Sequence, residues 1–344
     1  MGGRPRLGDQ LTDWIPASES VRAVEAMRRI FDRLGDRSNR ARARLRFVAA
    51  KIGTDEFKIV FKRELAEVTA NGVHAGVVAT DHINHQVAPA SAVSPLCTRV
   101  IPQRQPDFVT LLLSLPLGQI RWPDLLGLAE LADRYSAEKC LHATPNQQLI
   151  IRSVRESDLA ALRAAVMALN PTLLKDGGIN RIVACTGAVT CRLGIGRSRG
   201  AAVKLAYALD QAGLPDDILT SLDIRINGCT NCCGQHPVGD IGLSGALLRL
   251  DGQSVPSYRI HLGARRGEGR TRFGEYVGTI PARVVPEIVV DLLRHYAAHR
   301  QCRESLSEFF DRQGKNYFKN LLATHATLSP FAASADQGLQ TLSR

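Results

Sequence analysis

Apolar residues recur at helical spacing in several stretches of the chain. Val24, Met27, Ile30, Phe31 and Leu34 follow the i, i+3, i+4, i+7 rule and predict a helix over 21–34, stopped by Gly35 and Asp36. Leu45, Val48, Ala49 and Ile52 predict a second over 40–52, closed by Gly53. Thr54 is set to cap a third, running to about Ala70. Further helices are predicted over 122–135, with Leu125, Leu126, Leu128, Ala129, Leu131 and Ala132 inward, and over 157–169, capped by Ser157. Others follow over 196–212, ended by Gly213, over 281–298, and as one element over 304–322. Short apolar runs predict strands over 108–115, 139–143, 148–154 and 179–184, one ending at Ile226, and an antiparallel pair over 239–250 and 258–262.

The order of these elements divides the chain. Residues 1–70 are a helical segment and 71–106 a loop-rich connection. Residues 107–170 read β-α-β-β-α, the pattern of a ferredoxin-like half-domain. Residues 171–330 read as a mixed sheet flanked by helices, and 331–344 as a disordered tail rich in Ala, Ser and Gln. The expected fold class is α+β.

Composition narrows the classes. A chain of 344 residues with 44% hydrophobic content can bury a sizeable core. It has no apolar run of about 18 residues, the length a spanning helix needs, so no membrane is expected as a partner. The opening MGGRPRLGDQ carries no apolar signal region, and a reduced, cytoplasmic setting is expected. Of the net charge of +11, much sits in residues 1–63, with fifteen Lys and Arg against eight Asp and Glu. Little aromatic interleaving accompanies it, which argues against a nucleic-acid surface and for a solvated helix face. His74, His82 and His85, in a polar extended segment, read as surface histidines rather than metal ligands.

The cysteines change the picture most. Four of the eight form two couples, Cys185-x5-Cys191 and Cys229-x3-Cys233, with a spacer long enough for a helix and a returning strand. Four thiolates presented from two loops match the needs of an iron–sulfur cubane. Zinc competes, but its cysteine ligands usually come as C-x2-C couples. Cys97, Cys140 and Cys302 are expected to be buried small hydrophobes. Cys232 lies inside the second couple and can either pack away or compete for iron.

Around these cysteines the chain resembles a known family. ACTGAVTCRLGIGRSRGAA (184–202) and INGCTNCCGQHPVGDIGLSG (226–245) look like the two signatures of the sirohaem and 4Fe–4S dependent nitrite and sulfite reductases. The resemblance implies that Cys185, Cys191, Cys229 and Cys233 hold a 4Fe–4S cluster, with Asn231 in its loop and Cys233 bridging to sirohaem. GDRSNRARARLRFVAAKIG (35–53) is similar to the link that follows the first half of a full-length reductase, and LHATPNQQLIIRSV (141–154) to the family's T-x-R-Q strand. Asn146, Leu111 and Leu113 stand where that strand region has arginines. The family is a tandem duplication, and the chain is similar to the end of the first copy and to the second copy.

By that resemblance the chain is an oxidoreductase for six-electron reduction of nitrite to ammonia or sulfite to sulfide. Its donor would be ferredoxin or a flavoprotein, and a complementary first-half subunit would complete it. The basic excess then suits sirohaem's carboxylates and an acidic donor. The absent copy carries the family's anion-gripping arginines and lysines. The basic candidates left near the motifs are Arg192, Arg197, Arg199, Arg265, Arg266, Arg270 and Arg272, either surface residues or contacts to the macrocycle. Two other readings stay open: an electron-transfer module holding only the cluster, and a truncated, inactive reductase.

Overall fold

The computed structural model describes residues 5–39, 42–72, 99–250, 252–267 and 269–325. His74, His82, His85, Cys97 and the tail 331–344 lie outside the described residues. The chain forms two compact units, one running to Asn84 and one from His85 onward.

The first unit contains α1 (Ser20–Leu34), α2 (Leu45–Ile52) and α3 (Thr54–Ala70). Ala26, Ile30, Val48, Phe57, Phe61 and Val68 form its core. Val24 and Leu34, expected inside, are exposed, because the buried stripe of α1 runs through Ala23, Ala26 and Ile30. Gly53, at φ 88°, separates α2 from α3, a backbone angle that favours glycine. It occupies the cap position expected for Thr54, which is the first residue of α3. Glu64 is buried and ion-paired with Arg33, so that its charge is compensated.

The second unit holds two sheets. β1 (Val100–Pro102), β2 (Phe108–Leu113), α4 (Trp122–Tyr135), β3 (Leu141–Ala143), β4 (Leu149–Arg155) and α5 (Leu159–Leu169) build a four-stranded antiparallel sheet in the order β1-β2-β4-β3. Leu111, Leu113, Leu128, Ile151, Val154, Leu162 and Val166 are its core. Leu125 and Leu126 of α4, expected inward, are exposed, since Leu128 and Ala132 already fill the face toward the sheet.

The second sheet follows from β5 (Ile182–Ala184), α6 (Ser198–Asp210), α7 (Asp216–Ser221), β6 (Ile224–Asn227), β7 (Ile241–Leu250), β8 (Gln253–Leu262), β9 (Glu275–Pro281), α8 (Val285–His299), α9 (Leu306–Gln313) and α10 (Lys315–His325). Its order is β5-β6-β7-β8-β9, with β5, β6 and β7 parallel and the remaining pairs antiparallel. The architecture is α+β, as expected. The helix expected over 304–322 is two helices. Gly314, at φ 80°, breaks it, and Ser305 with Glu308 forms a capping box at the start of α9.

Register decides where the cysteine loops go. Ala184 pairs with Ile226 across the parallel strands β5 and β6. Cys185 and Gly228 therefore leave the sheet side by side, at the carboxyl ends where open α/β sheets put their sites. Gln147 ties the first sheet to this edge, its side-chain amide bonding both the carbonyl (3.0 Å) and the amide (3.2 Å) of Ala184.

Candidate functional site

Glycines allow the two cysteine loops to touch backbone to backbone. The amides of Ile195 and Gly196 both donate to the Gly228 carbonyl, at 2.7 and 2.8 Å. Ala188 N donates to Gly196 O at 2.9 Å, and Cys185 N to Ile226 O at 3.1 Å. A Cβ on Gly228 would stand 2.7 Å from Gly187 Cα, so this contact admits no side chain. Gly187 sits at φ 60°, against Ser198. The Ser198 hydroxyl donates to Cys185 O at 2.7 Å, and the Gly228 amide donates to Cys185 Sγ at 3.1 Å.

This stitching brings Cys185, Cys191, Cys229 and Cys233 into one electrostatic neighbourhood. Burial pushes the Cys233 thiol up, and the charges of Cys185, Cys229 and Cys191 push it further in the same direction. Cys191 and Cys233 are exposed, while Cys185 and Cys229 are half-buried. Four zinc-bound sulfurs at about 2.3 Å from the metal would stand about 3.8 Å apart. Among the described residues no three of these four sulfurs lie within 4.8 Å of one another. The four thiols are not gathered at zinc-ligand distances in the metal-free chain. Asn231, half-buried, shares the second loop.

Cys232 is separate from the four. It is buried, takes φ 61°, and its thiol donates to Thr230 O at 3.2 Å. Left-handed backbone at this residue turns its side chain into the protein. Cys140 and Cys302 are exposed, contrary to the expectation that they are buried, because each lies in a turn at the edge of its sheet or helix rather than in a core.

The arginines divide into two groups. Arg192, Arg197 and Arg199 belong to the first cysteine loop and the start of α6, and the buried Nε of Arg199 has no partner. Arg265 and Arg272 are ion-paired with Asp311, and Arg266 with Asp223 at 2.7 Å. Asp223 precedes β6, whereas the second cysteine loop follows it, so Arg266 lies at the opposite end of the strand.

Several residues that sequence patterns did not single out are built into the site's support. Arg225, 1% exposed, bonds Asp223 (2.9 Å), Gln235 (2.7 Å) and Asn146 (2.6 Å). Asn146, where the family pattern has arginine, is thus the acceptor for a buried arginine on the neighbouring sheet. Tyr258 abuts Gly196, and burial, followed by the charge of Cys185, pushes its phenol well up. Its hydroxyl, Asn227 Nδ2, and Nδ1 of His236 and His261 are buried without a hydrogen-bond partner. A lone Arg or His in a strand carries no periodic signal, so only the fold exposes such roles.

His236 and His261 lie with ring centroids 5.1 Å apart. Burial, then the neighbouring His261, pushes His236 down to about 3, and burial pushes His261 down to about 4. Unfolded histidine titrates near 6.5. Below that pH the unfolded chain takes up protons that the fold refuses, so the stabilisation present above pH 6.5 is lost as pH falls toward 4. The expected loss is about 2 kcal/mol per histidine at pH 5. Melting temperature measured from pH 7 to 5 should fall less steeply in His261→Gln than in the natural chain; equal slopes would contradict this account.

Comparison with known proteins shows what the chain is similar to. The model described as "Nitrite/Sulfite reductase ferredoxin-like half domain" matches residues 101–169, and the one described as "Nitrite and sulphite reductase 4Fe-4S domain" matches residues 1–68. Over these two stretches the chain is similar to the nitrite and sulfite reductases. Its cysteine loops lie outside both matched ranges. An assimilatory ferredoxin-dependent nitrite reductase of Haloferax mediterranei is 27% identical over 316 residues, covering 90% of this chain and 53% of that protein. A ferredoxin–nitrite reductase of Synechococcus elongatus is 29% identical over 289 residues, covering 82% and 52%. A sulfite reductase (ferredoxin) of Mycolicibacterium paratuberculosis is 24% identical over 322 residues, covering 92% and 51%. The chain spans about half the length of these curated relatives. The solved structure of the Mycobacterium tuberculosis NirA protein shares the fold, with a TM-score of 0.71 at 23% identity over 92% of this chain and 56% of that one. Among the described residues no helix is long and apolar enough to cross a membrane.

Proposed function

We propose that the chain is the cluster-bearing half of a sirohaem and 4Fe–4S dependent reductase that converts nitrite to ammonia or sulfite to sulfide. The observation that carries this reading is the convergence of Cys185, Cys191, Cys229 and Cys233 from two loops at the carboxyl ends of β5 and β6. When bound, the cluster delivers electrons to the sirohaem iron, where the anion is reduced.

The residues around the loops divide the remaining work. The four thiolates would hold the cluster, and Cys233 would be the cysteine next to sirohaem. The Gly228 amide, already on Cys185 Sγ, stabilises negative charge on that sulfur and so favours the reduced cluster. Cys232 packs away and leaves the iron to Cys233. Arg192, Arg197 and Arg199 would be the residues to meet the macrocycle's carboxylates. Arg265, Arg266 and Arg272 hold the fold together through Asp311 and Asp223.

The partner is a complementary first-half polypeptide, which supplies the basic residues that grip the anion. Val189, Leu193 and Ile195 on the first cysteine loop are 63%, 66% and 42% exposed, an apolar surface for that partner to cover. Residues 1–70 are the end of the family's first copy, followed by the ferredoxin-like half-domain (107–170) and the cluster domain (171–330). A ferredoxin or flavoprotein in the cytoplasm donates the electrons. Absorbance of the purified chain tests the reading: sirohaem adds a Soret and a red band that a bare cluster lacks. Failure to reduce either anion with reduced methyl viologen, even after mixing with a first-half protein, would overturn it.

A further inference from the structure

A second group of metal-ligating side chains lies in the ferredoxin-like half-domain, away from the cysteine loops. Glu138 and Cys140 lie in the turn that leads into β3, and His142 is the second residue of that strand. Their ligand atoms all lie within 4.8 Å of one another. His142 Nε2 is 2.6 Å from Glu138 Oε2 and 3.3 Å from Cys140 Sγ. We propose that Glu138, Cys140 and His142 form a binding site for a divalent ion of the zinc class, with water as the fourth ligand.

The donor set fits that ion. Zinc takes thiolate, imidazole and carboxylate together, and a site with three protein ligands keeps one position open. A hard ion such as magnesium or calcium would refuse the thiol. At bond lengths of about 2.0–2.3 Å the ligand atoms must stand about 3.3–3.6 Å apart. The His142 to Glu138 contact therefore has to open by less than about 1 Å, on the order of a side-chain rotation. β3 is an edge strand that pairs only with β4 in the described sheet, and Cys140 is exposed, so the group has room to open.

The carboxylate is also held for the task. The Ser153 hydroxyl donates to Glu138 Oε1 at 2.7 Å, leaving Oε2 directed at His142. Outer contacts of this kind orient metal ligands. Lys139, at φ 51°, makes the turn that brings Glu138 back over Cys140, and Ser153 itself sits at φ 50°. A lysine and a serine in left-handed backbone are uncommon, and both occur at this group. Burial raises the Glu138 carboxyl, but hydrogen bonds from Ser153 and His142 and the charge of Arg152 outweigh it and leave the pKa below the ordinary value. Arg152 Nε, at 3.7 Å from Oε1, lies on the Ser153 side of the carboxylate rather than at the ligating oxygen.

The site is independent of the cluster loops, and the test keeps the two apart. Zinc bound per chain is measured by equilibrium dialysis and elemental analysis on the full chain, with and without Cys191→Ser. In both backgrounds His142→Ala is expected to bind one zinc fewer. With cobalt as the probe, the thiolate-to-metal absorption of this site is lost in Cys140→Ser. Ser153→Gly, which removes the hydroxyl and accepts the left-handed backbone, should weaken binding about tenfold. Glu138→Gln, of the same shape, serves where a truncated variant does not fold, and should also weaken binding. Equal zinc content and affinity in the natural chain and in His142→Ala, Cys140→Ser and Glu138→Gln would overturn the proposal.

Discussion

Cys191→Ser is expected to strip the purified chain of its iron, from about four atoms per chain to nearly none, with the acid-labile sulfide lost in parallel. The same result is expected for Cys185→Ser, Cys229→Ser and Cys233→Ser. A serine hydroxyl is a harder, less acidic donor than a thiol and does not replace thiolate on iron. The effect should be all or nothing, because the four residues come from two loops that are already fixed to each other through Gly228. Cys232→Ser is the informative control. Its thiol is buried and donates to Thr230 O, a bond that a serine hydroxyl can also make. That variant should keep its iron and its visible spectrum, as should Cys302→Ser and Cys97→Ser. Iron counted by atomic absorption decides the matter. Full iron in Cys191→Ser, or loss in Cys232→Ser with retention in Cys233→Ser, would show the ligand set to be wrong.

Gly245→Ala is expected to cost about 3–4 kcal/mol and to lower the melting temperature by about 10 °C. A Cβ at this position would lie 2.2 Å from Gly228 O and 3.0 Å from Gly196 N. Both neighbours are backbone, so no flexible side chain can yield. Gly228 O is also the acceptor for the Ile195 and Gly196 amides. The methyl group therefore displaces the atom that joins the two cysteine loops, and cluster retention should fall along with stability. Gly200→Ala provides the contrast. Its nearest neighbour to a new Cβ is Arg197 Cβ at 3.9 Å, and it lies within α6. Alanine there should stabilise by up to about 1 kcal/mol through helix propensity. Thermal melts of the two variants should move in opposite directions. A Gly245→Ala chain that melts like the natural one would refute the backbone contact.

Much of this protein was legible in its residues. Element types followed from periodicity: α1, α4, α8 and the β7–β8 hairpin lie close to the stretches that predicted them. The cysteine couples were legible because cluster ligation depends on residue type and short spacing, both of which are local. The helix over 281–298 likewise followed from helical spacing, and α8 buries Val285, Ile288, Val289, Leu292 and Leu293. What failed was local too. Leu125, Leu126 and Val24 fit a helical stripe, yet a helix seated on a sheet or on two other helices buries only the residues its neighbour reaches. Gly314 was one glycine in a helical pattern, and only its φ of 80° made it a break.

The remaining features needed the third dimension, because they join residues distant in the chain. Nothing in a linear pattern links Asn146 to Arg225, or Gln147 to Ala184. The position of Arg266, ion-paired with Asp223 at the end of β6 away from the second cysteine loop, follows from the direction of one strand. Cys232 and Cys233 are adjacent residues of one type; the family resemblance assigned the cluster to Cys233 and left the role of Cys232 open. Backbone torsion sets the two apart: Cys232, at φ 61°, is buried and Cys233 is exposed. Residue chemistry and spacing by themselves determined that this protein carries two closely spaced cysteine couples. The parallel register of β5 and β6 decided that its two halves meet, because strand pairing, a long-range hydrogen-bonded contact, is what brings Cys185 and Gly228 side by side.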